Sequence, residues 1–337
     1  MNLNCNPAIA RRLLCVLVLI LGANYISGQT PSATNNASGD EFVNEQFCFP
    51  VELMNTGPNA GYGPYFRLIL PPGVTFNAAN PVVGSATVTV VGTFAGVPLK
   101  DPVLDTETAI DSVTGPVGHT LIIVQLPIGS ITTGGITPEI EVCVTMDPNI
   151  VTIGTPVPID VVPVYEFGDT PTGANGPIVG APSTGMVTPV LYTYEKYSDA
   201  PKQDRTPGPS WPITYTLEVD IADAQSITNL VFDDVLPGTL QWTGAPVTVS
   251  GGSGCTVTAS PNLPPTPGGT IQVTCPSATG ALGPGDVLVN FEAYVIDTLD
   301  ETIGDGGACD TEEIINNSDF DAAEGALVSD ADTVTAY

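Results

Sequence analysis

"WPITYTLEVDIADAQSITNLVFDDVLPGTLQW", residues 211–242, decides the fold. Ile213, Tyr215, Leu217, Val219 and Ile221 alternate with Thr214, Thr216, Glu218 and Asp220, and a second alternating run ends at Leu236-Pro237-Gly238. A period of two is the mark of a strand with one buried face. The stretch therefore reads as two strands and a turn, with no catalytic group in it. A fainter copy lies upstream in "EQFCFPVELMNTGPNAGYGPYFRLILPPGVTF" (45–76), where Phe47, Phe49, Val51 and Leu53 alternate before a Gly-Pro turn and a second strand ends at Leu70-Pro71-Pro72-Gly73.

Working outward, further strands read at "SATVTVVGTF" (85–94), "HTLIIVQLP" (119–127), "PEIEVCVTM" (138–146), "VPIDVVPVYEF" (157–167) and "TGMVTPVLYTYEKY" (184–197). In the downstream half, Val287, Val289, Phe291, Ala293 and Val295 mark the inward positions of another. Turn residues separate all of them, 36 Gly and 33 Pro being spread through 337 residues. Short strands with no helix to make parallel crossovers imply antiparallel two-sheet sandwiches. The expectation is an all-β chain: signal peptide 1–28, disordered lead-in 29–40, β-sandwich 41–194 and a second β-sandwich 195–337. "YEKYSDAPKQDRTPGPSWP" (194–212), rich in proline and charge, reads as a stiff linker between the two.

The leader "MNLNCNPAIARRLLCVLVLILGANYISGQ" has a basic pair, Arg11 and Arg12, an apolar run from Leu13 to Leu21 and then small residues. That is the pattern of a secretory signal peptide, and the run is short for a bilayer span. The expected location is secreted or cell-surface, with no membrane span after cleavage. Beyond the leader five basic side chains face 36 acids, a formal charge of −31. Nucleic acid is excluded as a partner, because phosphate contacts need clustered Lys and Arg.

Export permits disulfides. Cys48 and Cys143 both fall on the polar side of their alternations, so they meet if their strands are neighbours; Cys255 and Cys275 flank an expected hairpin. Free buried thiols are the alternative for either pair. Cys309 is left odd, free or intermolecular. No C-x-x-C is present, and one histidine cannot complete a zinc site.

Catalytic constellations fail on inventory. His119 stands at a strand edge with no G-x-S-x-G elbow in the chain, and in "FGDTPTGA" (167–174) Pro171 replaces the glycine of an Asp-Thr-Gly. Paired acids suit a glycosidase, but Trp211 and Trp242 sit where core or edge roles outweigh sugar stacking. Between 297 and 332 twelve carboxylates occur with no basic residue. Solvated loops are the favoured reading; a Ca²⁺ site using Asp297, Asp300, Asp305, Asp319 or Asp321 is the sharper one, although "DFDAAEG" departs from an EF-hand at Ala323. No other cofactor is expected.

The order Asn55-Thr56-Gly57-Pro58, Leu70-Pro71-Pro72-Gly73, then "YTLEVDIADAQSITNLVFDDVLPGTLQW" and "LGPGDVLVNFEAYV" resembles the conserved-repeat domains, domain of unknown function 11, of large bacterial surface proteins. The resemblance spans most of 41–337. It implies immunoglobulin-like sandwiches in series and a non-enzymatic stalk or repeat segment, with neighbouring repeat domains or other surface components as partners. The second copy departs from the family's Asn-x-Gly turn, having "IADAQ" instead. A carbohydrate- or protein-binding adhesin module, calcium-dependent or not, is the rival reading, and a polysaccharide-active enzyme the distant third.

Some bacterial fibre sandwiches similar to this one carry an isopeptide bond from a lysine on the first strand to an asparagine near the last, promoted by a buried acid. Lys196, Asn316 or Asn317, and Asp220, Asp233 or Asp234 are the residues such a bond would use here. Because "YEKYSD" is polar, the favoured expectation is instead an exposed Lys196 paired with Glu195 or Asp199.

Overall fold

The computed structural model describes residues 30–104, 111–174, 176–199, 202–203, 210, 212–296 and 312–336; the leader lies outside them. Contact density divides the chain into two compact units. The second begins at Pro189 and also takes in two short pieces, 41–45 and 152–154. Among the described residues no helix is long and apolar enough to cross a membrane.

The first unit is built from β1 (Pro31–Asn35), β2 (Ser38–Phe42), β3 (Gln46–Asn55), β4 (Gly61–Leu70), β5 (Val74–Pro81), β6 (Thr87–Thr93), β7 (Leu99–Lys100), β8 (Ser112–Val113), β9 (Thr120–Gln125), β10 (Ser130–Ile131), β11 (Ile140–Met146), β12 (Val157–Gly168), β13 (Ile178–Val179) and β14 (Ser183–Val190). The main strands form one sheet in the order β1-β3-β11-β5 and another in the order β2-β14-β12-β4-β9-β6. Residues of alternate parity from both, such as Phe49, Val51, Phe66, Leu68, Val142 and Val144, make the core between them.

The second unit comprises β15 (Tyr192–Ser198), β16 (Lys202–Gln203), β17 (Ile213–Ile221), β18 (Ser226–Leu236), β19 (Leu240–Trp242), β20 (Thr248–Gly251), β21 (Thr256–Ala259), β22 (Gly269–Thr279), β23 (Val287–Val295), β24 (Glu312–Asp321) and β25 (Val328–Ala336). Its sheets run β15-β17-β23-β19 and β16-β25-β24-β18-β22-β21. Laid beside the first unit, every main strand finds its counterpart at the same place in chain order and in sheet order. The chain is thus two immunoglobulin-like β-sandwiches in tandem, largely antiparallel, with β16 pairing parallel to β25. Tyr215 stacks on Phe291 at 5.3 Å and Phe232 meets Phe320 at 4.9 Å in the second core.

Three expectations need correcting. Residues 31–40, expected as part of a disordered lead-in, carry β1 and the start of β2. Their own side chains bury little; pairing along β3, with Ala33 opposite Leu53, supplies the backbone partners that hold β1. The run 184–197 is two strands, not one. Gly185, Val187 and Pro189 are inward on β14, whereas Tyr192, Tyr194 and Lys196 are inward on β15. The alternation changes phase across Val190-Leu191, and that slip is where one sandwich gives way to the next. Finally, 194–212 does not start as a linker: Tyr194 to Ser198 belong to β15, paired with β17 from Tyr192↔Ile221 to Ser198↔Tyr215.

β4 is buried almost throughout, as its unbroken run Tyr65–Leu70 requires. Its outer side chains Tyr65 and Ile69 are covered by the excursion between β6 and β9, through Phe94, Leu104 and Val113. Asp101 fixes that cover, accepting hydrogen bonds from Arg67 Nε and Tyr65 Oη at 2.8 Å each. An unpaired buried carboxylate would be costly, so this pairing specifies where the excursion lands.

Candidate functional site

Strand parity places three charged or amide side chains inside the second sandwich. Lys196 follows Tyr192 and Tyr194 on the inward face of β15 and is 4% exposed. Asp234 follows Leu230 and Phe232 on β18, and Asn316 lies between Ile314 and Ser318 on β24; both are wholly buried. β18 pairs with β24 so that Asp234 faces Ser318 and Val235 faces Asn317, setting Asn316 on the diagonal from Asp234. β15 sits in the other sheet, so Lys196 reaches across the core to its partners.

Lys196 Nζ donates to Asp234 Oδ2, both side chains being fully enclosed. The ammonium group also stands 5.6 Å from the centre of the Tyr215 ring, on its face. Tyr194, Phe232 and Phe320 wall the site: Tyr194 stacks on Phe320 at 5.4 Å and donates from Oη to Ser318 Oγ at 2.6 Å. Lys196 N donates to Asp330 Oδ2 at 2.7 Å, and Tyr192 Oη to the Ala326 carbonyl at 3.0 Å. The first strand of the sandwich is therefore tied to β24, to β25 and to the turn between them by hydrogen bonds that each use at least one side chain.

Burial pushes the Lys196 ammonium below its ordinary pKa, against the pull of Asp234. It pushes the Asp234 carboxyl up, against Lys196 and the nearby Asn316 amide. Both directions favour the neutral forms, amine and carboxylic acid. The Asn316 carboxamide, close enough to influence Asp234, makes no well-formed hydrogen bond at either Nδ2 or Oδ1 among the described residues. A buried amide with no well-formed hydrogen bond is held below its full bonding energy, and the carboxyl it acts on, Asp234, is the one that holds Lys196 Nζ.

The exposed, surface-paired Lys196 is overturned: Glu195 points outward, and Asp199 is engaged with Thr214 N at 2.9 Å. Of the other named residues, Asn317 is exposed and Asp233 accepts from Gln272 Nε2 at 2.8 Å. Asp220 is raised to about 6 by burial and then by its neighbour Asp286. The structure brings together Lys196, Asp234 and Asn316, and leaves Asn317, Asp220 and Asp233 out. The signal was in the sequence: a lysine, an acid and an amide each stand on the apolar parity of their strands.

Both disulfides are formed, Cys48–Cys143 and Cys255–Cys275. Cys48 and Cys143 are register partners on β3 and β11, as their polar-side parity implied. Among the described residues Cys48, Glu141 and Cys143 also have the spacing of metal ligands, but the disulfide consumes both thiols. Cys309, Asp297, Asp300, Asp305 and Trp211 lie outside the described residues. Asp319 and Asp321 are exposed on the outward face of β24, Asp319 accepting from Ser329 Oγ at 2.6 Å. Trp242 is core, and His119 precedes β9 at its edge.

Tandem immunoglobulin-like sandwiches with a buried lysine–acid–amide cluster define the class to which this geometry belongs. No family model matches the chain, the conserved-repeat family included, and no curated protein matches it. Among solved structures it is similar to the full-length major pilin SpaD of Corynebacterium diphtheriae, at 14% identity and TM-score 0.29 over 91% of this chain and 65% of that one. It is similar too to the Enterococcus faecalis adhesin ACE, described as binding its ligands by the collagen hug (9% identity, TM-score 0.24, 92% and 95% covered), and to a cohesin module of a Clostridium perfringens family 33 glycoside hydrolase (11%, 0.29, 48% and 97%). At these TM-scores the likenesses carry no argument about activity.

Proposed function

We propose that the chain is a non-enzymatic, exported structural segment of a bacterial surface or adhesin-like repeat protein, and that its second sandwich is closed by an isopeptide bond from Lys196 Nζ to Asn316 Cγ. The observation that carries this reading is the enclosure of Lys196, Asp234 and Asn316 at one point between the first strand of the sandwich and its last but one.

The chemistry needs a free amine, an electrophilic carbonyl and a proton carrier. Asp234 takes a proton from the Lys196 ammonium, and the amine attacks Cγ of Asn316. The Nζ–Cγ bond forms, the Cγ–Nδ2 bond breaks, and Asp234 hands its proton to the leaving nitrogen. Lys196 gives up two protons in all and the departing nitrogen gains two, so ammonium and carboxamide become a secondary amide and an ammonium ion. Asp234 ends as it began. The aromatic walls exclude the water that would hydrolyse the carbonyl instead.

Such a bond suits a tensile element. Force entering before β15 and leaving after β25 passes from Lys196 to Asn316 and bypasses the chain between them. Stretching single full-length molecules by their ends tests this. Wild type is expected to gain no length from residues 197–315, and Lys196→Ala to gain them, less the loop held by Cys255–Cys275. In the first sandwich, reductant is expected to release the loop of sequence separation 95 closed by Cys48–Cys143, roughly 330 Å of added length. Equal extension of wild type and Lys196→Ala would contradict the proposal.

A further inference from the structure

Three carboxylates act on Lys196, and two are accounted for. Asp234 holds Nζ, and Asp330 accepts the Lys196 backbone N–H while its other oxygen accepts from Ala331 N. The third, Asp332, lies directly opposite Asn316 in the β24–β25 register. Among the described residues its Oδ2 is buried without a hydrogen-bond partner, although the residue as a whole is half-buried. Two hydroxyls share this condition, Tyr215 Oη and Ser198 Oγ, and Tyr215 is wholly enclosed.

The three belong to one place. β15 and β25 advance side by side in the same direction, Tyr192 reaching Ala326 and Lys196 reaching Asp330, which brings Ser198 level with Asp332. Ser198 is also the register partner of Tyr215. After burial, Asp332 is the largest influence raising the Tyr215 hydroxyl, and it acts on Lys196 as well. Three oxygens, one of them on a carboxyl group, thus gather around Asp332, the register partner of the Asn316 whose amide nitrogen the proposed reaction expels. Leaving them unpaired is costly, and a small cation with several N–H donors satisfies all three.

We propose that Asp332, with the hydroxyls of Ser198 and Tyr215, forms a seat for ammonium, through which the nitrogen leaving Asn316 exits the core. This rests on the Lys196–Asn316 bond of the preceding section and adds the fate of its product. The carboxylate matches the charge of the leaving ion, and its half-buried position connects the reacting amide with solvent. Asp332 is a positioning residue in this scheme: it forms no bond with the reacting carbon. Because amide exchange is balanced in bonds and charge, removing the product draws the reaction forward.

The test is the time course of ammonia loss by intact mass, followed as the full chain, dissolved in urea, refolds by dilution with a glutathione couple present. Asp332→Asn is expected to cross-link about tenfold more slowly or worse. Added ammonium chloride is expected to slow wild type, where tetramethylammonium chloride at the same concentration does not, and to leave Asp332→Asn unaffected. A purely structural role would not produce that difference in ammonium sensitivity. Tyr215→Phe removes one hydroxyl and keeps the ring, and is expected to be slowed too, which covers the case in which Asp332→Asn refolds poorly. Wild-type rates in both variants would overturn the seat while leaving the bond standing. Wild type that never loses ammonia would overturn both.

Discussion

Lys196 follows Tyr192 and Tyr194 at intervals of two, so its stem enters the core with their rings and its charge meets Asp234 there. A charge in that position survives only with its partner. Asp234→Ala is therefore expected to give a chain of full mass whose second sandwich is destabilised by about 3 to 5 kcal/mol, as read by urea unfolding. A second residue-scale expectation concerns Asp220, held up to about 6 by burial and by Asp286. Its folded pKa lies above the unfolded value near 3.9, so the folded state binds the extra proton and stability falls as pH rises between those two values. The melting temperature of Asp220→Asn is expected to fall less than that of wild type from pH 4 to pH 7. Identical pH profiles would remove Asp220 from the account. Residue type alone misleads at Lys196 and Asp234, since Lys and Asp ordinarily mark solvent; the parity of their neighbours is what reveals them.

At the scale of strands, alternation made most of both sandwiches legible, β17, β18 and β23 most plainly. Three features escaped for physical reasons. β1 and β2 are edge strands held by backbone pairing, and "PSATN" and "SGDEF" carry no apolar alternation to announce them. The change of phase at Val190-Leu191 leaves no break in hydrophobicity, so 184–197 reads as one strand although it serves two sandwiches. The cover over β4 depends on Asp101 meeting Arg67 and Tyr65, contacts between residues more than thirty apart. The disulfides, by contrast, followed from parity and proximity. Cys48 and Cys143 close a loop of separation 95 across adjacent strands. Replacing both with Ala is expected to lower the stability of the first sandwich by up to about 4 to 5 kcal/mol, most of it through the freed unfolded chain. A loss below about 1 kcal/mol would mean that the reduced chain already stays compact.

Across the whole molecule, two sandwiches with one strand order are fastened differently. The first has a disulfide between β3 and β11; among its described residues its one lysine, Lys100, is exposed, with Nζ 3.8 Å from Asp111. In the second, Cys255–Cys275 spans a short loop, and the buried cluster joins β15 to the opposite sheet. The repeated order was visible in the sequence as two copies of one pattern of turns; the difference in fastening needed the third dimension, because Lys196, Asp234 and Asn316 come from strands far apart in the chain. The claim that joins these observations is the covalent closure of the second sandwich. Intact mass spectrometry of the reduced full-length protein tests it most directly, with Lys196→Ala and Asn316→Ala beside it. The account predicts a wild-type mass short of its sequence by one ammonia, and both variants at full mass. Wild type at its full sequence mass would contradict it.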